Sequence, residues 1–140
     1  SHKKAYENFA AAHAMPVRYM QVEESLGEAG GFDACTRLLA QYPDTDALCV
    51  PVDAFAVGAL AAVQQAGLRV PQDVMIATRY DGLRARTAEP ALTAVDLHLE
   101  QVATLAVELL FEHLSGDKSR QSALGPKPEL RARASTQLDD

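Results

Sequence analysis

Two aspartates in the middle of the chain each follow a short apolar run. Asp53 comes after the run Ala47–Val50, and Asp81 comes after the run Val74–Ala77. Both runs are short and rich in β-forming residues, which predicts strands, whereas residues 54–66 between them repeat apolar side chains at helical spacing. A strand–helix–strand unit of this length favours two parallel strands, and ligands of open parallel sheets bind beyond the carboxyl ends of the strands. The two carboxylates are therefore expected where a binding site would lie.

Three arginines accompany the second of these carboxylates. Arg79 precedes Asp81, and Arg84 and Arg86 follow it. A guanidinium group can bind a phosphate or a carboxylate through two parallel hydrogen bonds. Arg79 therefore has two interpretations, an anion-binding group at the mouth of a cleft or a surface cation paired with Asp81 or Glu89. The surface pairing is the favoured one.

Helix and strand patterns alternate along the rest of the chain, which predicts the α/β class. Ser25, followed three residues later by Glu28, has the spacing of a capping box at the start of a helix. The other predicted elements, in chain order, are a helix over Lys3–His13, a strand over Val17–Val22, a helix over Gly30–Gln41, a strand or extended crossover over Leu92–Leu99, a helix over Leu99–Leu114 and a strand over Glu129–Ser135.

Composition and charge argue against several classes of partner. The 140 residues suffice for one hydrophobic core, and 13 basic against 19 acidic residues give a net charge of −6. An acidic chain has no long-range attraction for phosphate backbones, so we expect no nucleic-acid binding by this part of a protein alone. No apolar run approaches membrane-spanning length and no secretory signal opens the chain, which predicts a cytoplasmic protein without a membrane partner.

The reactive residue types form no recognisable catalytic or metal site. Cys35 and Cys49 fall inside a predicted helix and a predicted strand, so we interpret them as buried thiols in a reducing compartment. The four histidines share no ligand or catalytic spacing, and neither a glycine-rich phosphate loop nor a nucleophile elbow is present. We therefore predict no catalytic residue, no metal and no cofactor, and an enzyme is the weakest interpretation.

A set of residues spread along the chain resembles a known family. The set consists of Val52-Asp53, Ala56, Gly58-Ala59-Leu60, Ala66-Gly67-Leu68-Arg69-Val70-Pro71, Asp73-Val74, Tyr80-Asp81, Pro90 and Leu92-Thr93, with Gly31-Phe32 before them and Glu129–Thr136 after them. Their order and spacing are similar to those of the lactose-repressor (LacI/GalR) family of bacterial transcription regulators, whose sensor domain resembles periplasmic sugar-binding proteins. The resemblance implies a three-layer α/β/α parallel sheet, as one lobe of a two-lobed domain of the periplasmic-binding-protein type I kind.

The resemblance also implies that much of the family's architecture lies outside this chain. Family members carry an N-terminal helix-turn-helix and then a two-lobed sensor whose chain crosses between the lobes three times. We expect residues 1–95 to form the C-terminal lobe, and residues 96–140 to supply a crossover, a helix and a last strand that would complete the two-lobed domain. The helix Leu99–Leu114 would then lack its packing partner, which predicts self-association.

The family's effector lies between the lobes, and this location implies roles for residues at the strand ends. Asp81 stands at the position of the effector-binding aspartate, where its carboxylate suits the hydroxyls of a sugar or a nucleoside, or an amine; the alternative is a turn that the aspartate stabilises. Asp53 is the second acid of the family's Asn-Asp pair, and a helix cap is the stronger interpretation of it. Val52 replaces the usual asparagine, Leu97 replaces a frequent glutamine, and Arg79 replaces a glycine.

These replacements make the predicted site less polar than the family norm. Phe55 adds either an apolar wall of the cleft or a core contact, and the sequence leaves both open. The resemblance therefore implies either an unusual effector or relaxed effector sensing.

The function that the resemblance implies is the effector-sensing and dimerisation part of a LacI-family transcription regulator. Its partners would be a small-molecule effector (a sugar, a nucleoside or a related metabolite), a second copy of the chain, and operator DNA reached only through the missing N-terminal headpiece. The helices Gly30–Gln41 and Ala54–Ala66 would form the dimer face. The alternative is a solute-binding protein of a sugar uptake system, against which the segment Leu68–Val74 argues.

Overall fold

The computed structural model describes residues 2–138 and contains five α-helices and four strands in that range. The helices are α1 (His2–Ala12), α2 (Gly27–Gln41), α3 (Asp53–Gln65), α4 (Leu83–Thr87) and α5 (Leu99–Leu114), and the strands are β1 (Ala47–Val50), β2 (Met75–Thr78), β3 (Thr93–Asp96) and β4 (Glu129–Arg131). Short 3-10 turns cover Glu24–Leu26 and Ala134–Thr136. The bounds of β1 and α5 are those expected from the sequence, and the α/β class is confirmed.

The four strands form one mixed sheet in the order β1-β2-β3-β4. The first three strands are parallel, with Ala47 opposite Met75 and Ala77 opposite Thr93. The expected parallel sheet is confirmed for these three strands, whereas β4 runs antiparallel to β3 and places Val95 opposite Leu130. The crossover through α5 and the following loop brings the chain back in the reverse direction.

Two local predictions near the start of the chain are wrong. Residues 17–22 form no strand, because their backbone groups pair with no neighbouring strand in the described part of the chain. The segment instead contacts α1: the backbone N–H of Arg18 donates to the hydroxyl of Tyr6 at 3.2 Å, and Lys3 lies over the ring of Tyr19. The predicted capping box is absent as well, since α2 is preceded by Leu26 and no side chain caps it.

The core lies between α3 and one face of the sheet. Ala56, Leu60 and Val63 of α3 are buried with Ile76 of β2 and Leu92 just before β3. These positions follow the helical spacing that the sequence shows, so the apolar face of α3 is the one that covers the sheet. On the side of β1 away from this core, Ala47 and Cys49 stay exposed.

Helix α2 packs on α3 at very short range, and two glycines make that approach possible. A methyl group added at Gly31 would lie 2.5 Å from the Cα atom of Phe55, and one added at Gly58 would lie 2.7 Å from the backbone nitrogen of Phe32. Carbon atoms cannot pack this closely against backbone atoms, so both positions require the absence of a side chain. The two helices therefore form one rigid layer.

Residues 133–136 fasten the end of the described chain to the sheet. The buried hydroxyl of Ser135 donates to the backbone carbonyl of Ile76 and accepts a hydrogen bond of 2.8 Å from the backbone N–H of Thr93. The hydroxyl of Thr93 accepts a hydrogen bond from the backbone N–H of Arg133 at 2.8 Å, and lies 2.7 Å from the hydroxyl of Thr136. One serine thus joins β2 and β3 from outside the strand ladder.

Helix α5 is the least enclosed element of the fold. None of its residues is buried, and the exposed apolar side chains along it are Leu99, Val102, Val107, Leu110, Phe111 and Leu114. The loop that follows touches one side of the helix, where the ring of His113 hydrogen-bonds with the carbonyl of Arg120 at 2.7 Å. Within residues 2–138, no helix combines the length and the apolarity that a membrane span needs.

Candidate functional site

The candidate residues meet at one edge of the sheet. Val52 and Asp53 follow β1, Arg79 and Asp81 follow β2, and Leu97 follows β3. Because these three strands are parallel neighbours, their carboxyl ends lie side by side. The structure therefore brings together the residues that the sequence separates by as many as 45 positions.

Asp81 is almost completely enclosed by two arginines. Its side chain is 6% exposed, and its Oδ1 atom lies 2.6 Å from Nη2 of Arg133 and 3.4 Å from Nε of Arg86. Arg86 also donates to Oδ2 at 3.4 Å and to the backbone carbonyl of Asp81 at 2.9 Å. Arg133 is itself held by the carbonyl of Leu92 at 2.9 Å. The carboxylate thus ties α4 and the chain after β4 to the end of β2.

Asp53 lies at the start of α3, but the expected role as the cap residue is wrong by one position. Val52 is the cap, because its backbone is extended and its carbonyl accepts the first intrahelical hydrogen bond, from the N–H of Ala56 at 3.0 Å. Asp53 is the first residue of the helix, where its Oδ1 atom accepts from the N–H of Ala54 at 2.8 Å. The expected acceptance of helix N–H groups is therefore confirmed, and a carboxylate in the first turn also favours the helix dipole.

Arg84 connects Asp53 to the start of α2. Its Nη1 atom lies 3.9 Å from Oδ2 of Asp53, and its Nε atom donates to Glu28 at 3.0 Å. The ring of Tyr80, which is partly exposed, lies against Gly82 so closely that a methyl group there would be 2.5 Å from Cε1 of the ring. The Tyr80 ring and Oδ2 of Asp53, which Arg84 approaches, thus both lie next to Gly82.

The three other candidates occupy the border of this site. Val52, Phe55 and Leu97 are half-buried, and Arg79 is exposed. Phe55 does not belong to the buried core cluster or to the apolar residues packed on it, which favours the wall interpretation over the core interpretation. The hydroxyl of Thr78, at the end of β2, is buried and has no hydrogen-bond partner among the described residues.

A second charged network lies at the β3–β4 side of the same edge of the sheet. Arg131 lies 3.0 Å from Asp96 and 3.1 Å from Glu129, and His98 lies 3.6 Å from Asp96. The backbone N–H of His98, which donates to Asp96 at 2.8 Å, and then Arg131 lower the pKa of the Asp96 carboxyl below its usual value. His98 has a left-handed backbone (φ 50°) directly before α5, so this network positions the start of that helix.

Sequence reasoning placed the carboxylates but missed Arg133, the partner of Asp81, and Glu28, the partner of Arg84. Both lie more than 50 positions from the residue that they bind, so no local spacing reveals the contact. Among the described residues, no three histidine, cysteine, aspartate or glutamate side chains are arranged to hold a metal ion.

Sequence comparisons relate the chain to a family of sensor domains. The sequence model of the periplasmic binding protein-like domain matches residues 1–136. The HTH-type transcriptional repressor PurR of Edwardsiella ictaluri is 30% identical over 89% of this chain and 36% of its own length. The ribose operon repressor of Escherichia coli K12 is 33% identical over 76% of this chain and 32% of its own length. The chain therefore spans about a third of the curated relatives that it matches.

Solved structures show the same architecture. The complex of the transcriptional regulator CelR with cellobiose aligns with a TM-score of 0.79 and 27% identity, over 93% of this chain and 40% of that one. A LacI-family transcriptional regulator from Arthrobacter sp. FB24, in complex with lactose, aligns with a TM-score of 0.85 and 28% identity, over 96% of this chain and 50% of that one.

Proposed function

We propose that this chain, which belongs to the periplasmic binding protein-like domain family in the form found in LacI-family transcription regulators, is the effector-sensing part of such a regulator. The observation that carries the proposal is the convergence of Asp53, Asp81 and their arginines at the carboxyl edge of the sheet. Two relatives of this fold are solved with cellobiose and with lactose, which supports a sugar or a related metabolite as the effector.

The effector site is proposed to lie at this edge, where an orphaned polar group also points to a missing partner. A buried hydroxyl without a hydrogen bond costs about 1–3 kcal/mol, so Thr78 gains from any ligand or water that supplies one. The residues proposed to surround the effector are Val52, Asp53, Phe55, Arg79, Asp81 and Leu97. Effector binding would then shift the equilibrium between two arrangements of the whole regulator.

The whole regulator is proposed to act in the cytoplasm and to bind operator DNA through an N-terminal helix-turn-helix outside this chain. The net charge of −6 leaves this part unsuited to phosphate backbones, which is why a separate headpiece is required. We assign residues 1–95 to the C-terminal lobe and residues 96–140 to the parts that complete the two-lobed domain.

The test measures binding of the full-length gene product to fluorescently labelled operator DNA by fluorescence anisotropy. The titration is repeated in the presence of sugars, sugar phosphates, sugar acids and nucleosides. We expect at least one compound to change the operator affinity, and Asp81→Asn to weaken that response at least tenfold. Asp73→Asn is the matched control, because Asp73 also pairs with an arginine but precedes β2 at the opposite edge. Thermal melts establish that both variants fold.

The outcomes separate the two candidate functions. An unchanged effector response in Asp81→Asn would contradict the proposed role of the Asp81 carboxylate in effector binding. A full-length protein that binds a sugar but no DNA would instead favour the solute-binding alternative. No response to any compound, with no operator binding, would overturn the regulator proposal.

Self-association is the second part of the proposal. In the full-length regulator the dimer face is placed on α2 and α3, whose outer alanines, such as Ala29 and Ala40, are exposed. In this chain alone, α5 is proposed to pair with α5 of a second copy. The helix exposes an apolar face along about 24 Å.

Light scattering on this chain tests the α5 pairing. We expect a dimer for the wild type and a monomer for Leu110→Glu, because a charge in the middle of the apolar face opposes its burial. Glu108→Gln, on the polar side of the helix, is the control and stays dimeric. A clean wild-type monomer at high concentration contradicts the pairing.

A further inference from the structure

At the β1–β2 half of the candidate site, two carboxylates are enclosed and two arginines are exposed. Asp81 is 6% exposed and Asp53 is 18% exposed, whereas Arg84 and Arg86 are 54% and 59% exposed. Glu28, the third carboxylate here, is 53% exposed and is engaged by Arg84. The β3–β4 half holds its own network, in which Arg131 pairs with two carboxylates, Asp96 and Glu129. An incoming ligand at the β1–β2 half therefore meets the guanidinium groups of Arg84 and Arg86 before it meets Asp53 or Asp81.

The geometry of Asp81 leaves little room for a ligand hydroxyl. A carboxylate has about four acceptor positions. Oδ1 of Asp81 is shared by Arg133 and Arg86, and Oδ2 receives a second contact from Arg86. The neutral sugar hydroxyl that this aspartate would otherwise bind must compete with two charged donors. Charge-assisted hydrogen bonds are roughly twice as strong as neutral ones, so a ligand hydroxyl is limited to the acceptor position of Asp81 that the arginines leave.

The same contacts use only some of the donor atoms of Arg84 and Arg86. Arg86 uses Nε and Nη2 on Asp81, which leaves Nη1 outside these hydrogen bonds. Arg84 uses Nε on Glu28 and approaches Asp53 with Nη1, which leaves Nη2. Arg79 adds an exposed cation at the end of β2. Planar guanidinium groups match the oxygens of a phosphate or a carboxylate, and the neighbouring face of Tyr80 suits a sugar ring.

We propose that the effector of this site carries an anionic group, a phosphate or a carboxylate on a sugar-like body, and that Arg84, Arg86 and Arg79 hold that group. The inference rests on the proposed effector-sensing function and narrows it, because it excludes a neutral sugar as the preferred ligand. It also accounts for Val52 in place of the usual asparagine, because the main polar contacts with the effector are then made by guanidinium donors and not by amide and carboxylate groups.

Calorimetry on the full-length gene product tests the inference with four probes: D-ribose, ribose 5-phosphate, D-ribonate and inorganic phosphate. We expect ribose 5-phosphate or ribonate to bind at least tenfold more tightly than ribose, and the better of the two identifies the anionic group. The preference shrinks as salt is raised, because exposed charges are screened. Inorganic phosphate is expected to compete with the winning probe, but more weakly than that probe binds.

Single-residue variants identify which arginines bind the anionic group. Arg86→Gln and Arg79→Gln are expected to reduce the binding of the anionic probe about tenfold and to reduce the binding of ribose by a smaller factor. Arg69→Gln, which removes an exposed arginine at the opposite edge, is the matched control and has no effect. Since Arg86 also holds Asp81, Arg79→Gln keeps the test valid if Arg86→Gln is poorly folded.

Two results overturn the inference, and they differ in what else they overturn. Equal binding of ribose and its anionic derivatives, with the effector response in the operator assay intact, rules out the anionic effector but leaves the sensing function standing. Absence of binding by all four probes, together with no effector response in the operator assay, removes both.

Discussion

The contact between α2 and α3 predicts that Gly58→Ala destabilises the fold, which is the opposite of what helix propensity predicts. An alanine in the middle of a helix is about 1 kcal/mol more favourable than a glycine, so propensity alone predicts that Gly58→Ala stabilises the fold. The structure predicts the reverse. The added methyl group would lie 2.7 Å from the nitrogen of Phe32 and 2.9 Å from the carbonyl carbon of Glu28, and both belong to backbone that cannot rotate away.

The magnitude follows from these two opposing terms. Overpacking a well-packed contact costs about 1–3 kcal/mol, and contact with the backbone of a neighbouring helix places Gly58 at the upper end of that range. After subtraction of the propensity gain, we expect a net loss of about 2 kcal/mol in the free energy of unfolding. For a chain of this size, that loss lowers Tm by roughly 6 °C.

Urea and thermal unfolding, followed by circular dichroism at 222 nm, measure this loss. Ala61→Gly is the matched control in the same helix, because Ala61 is exposed and its substitution loses only the propensity of about 1 kcal/mol. A Gly58→Ala variant as stable as the wild type, or more stable, would refute the close approach of α2 and α3.

Three further predictions concern buried or paired groups elsewhere. Ser135→Ala leaves the two backbone groups that its hydroxyl joins without partners, and should lower the free energy of unfolding by about 2–4 kcal/mol in urea titrations, whereas Ser135→Thr loses less. Cys49 is exposed and Cys35 is buried, with burial raising the pKa of the Cys35 thiol to about 11, so Ellman's reagent should titrate one thiol quickly and the other only after unfolding. A fast reaction of the single remaining thiol in folded Cys49→Ser would contradict this. Arg69 lowers the pKa of Asp73 to about 2, below the ordinary value of 3.8. The stability that this pair contributes is therefore present above pH 3.8 and is lost as the pH falls toward 2. Over this pH range, the urea midpoint of Asp73→Asn should decline less than that of the wild type.

The elements predicted correctly are those whose signal is local. β1 is a compact run of β-forming residues and α5 repeats its apolar side chains over 16 positions, so each could be bounded without knowledge of the rest of the fold. Residues 17–22 have a comparable alternation, but a strand also needs a neighbour to pair with, and the described chain provides none. The direction of β4 likewise depends on how the chain returns from α5, which no residue of β4 encodes.

The candidate site divides in the same way. The location of Asp53 and Asp81 followed from chain order, because the ends of parallel strands must meet. The partners of these carboxylates did not follow, because Arg133 reaches Asp81 only through the register of β4 on β3. The roles of Val52, Phe55, Arg79 and Leu97 in effector binding stay predictions until the variants are measured.

The fastening of β2 and β3 by residues 133–136 has a consequence during synthesis on the ribosome. Strands β1 to β3 are complete once Asp96 has emerged, but the serine that joins them is 39 positions later in the chain. At about 5–20 residues per second, translation leaves the sheet without this clasp for roughly 2–8 s. During that interval the carbonyl of Ile76 and the N–H of Thr93 lack their final partner. The nascent domain is therefore most open to chaperones and proteases until residues 133–136 have emerged.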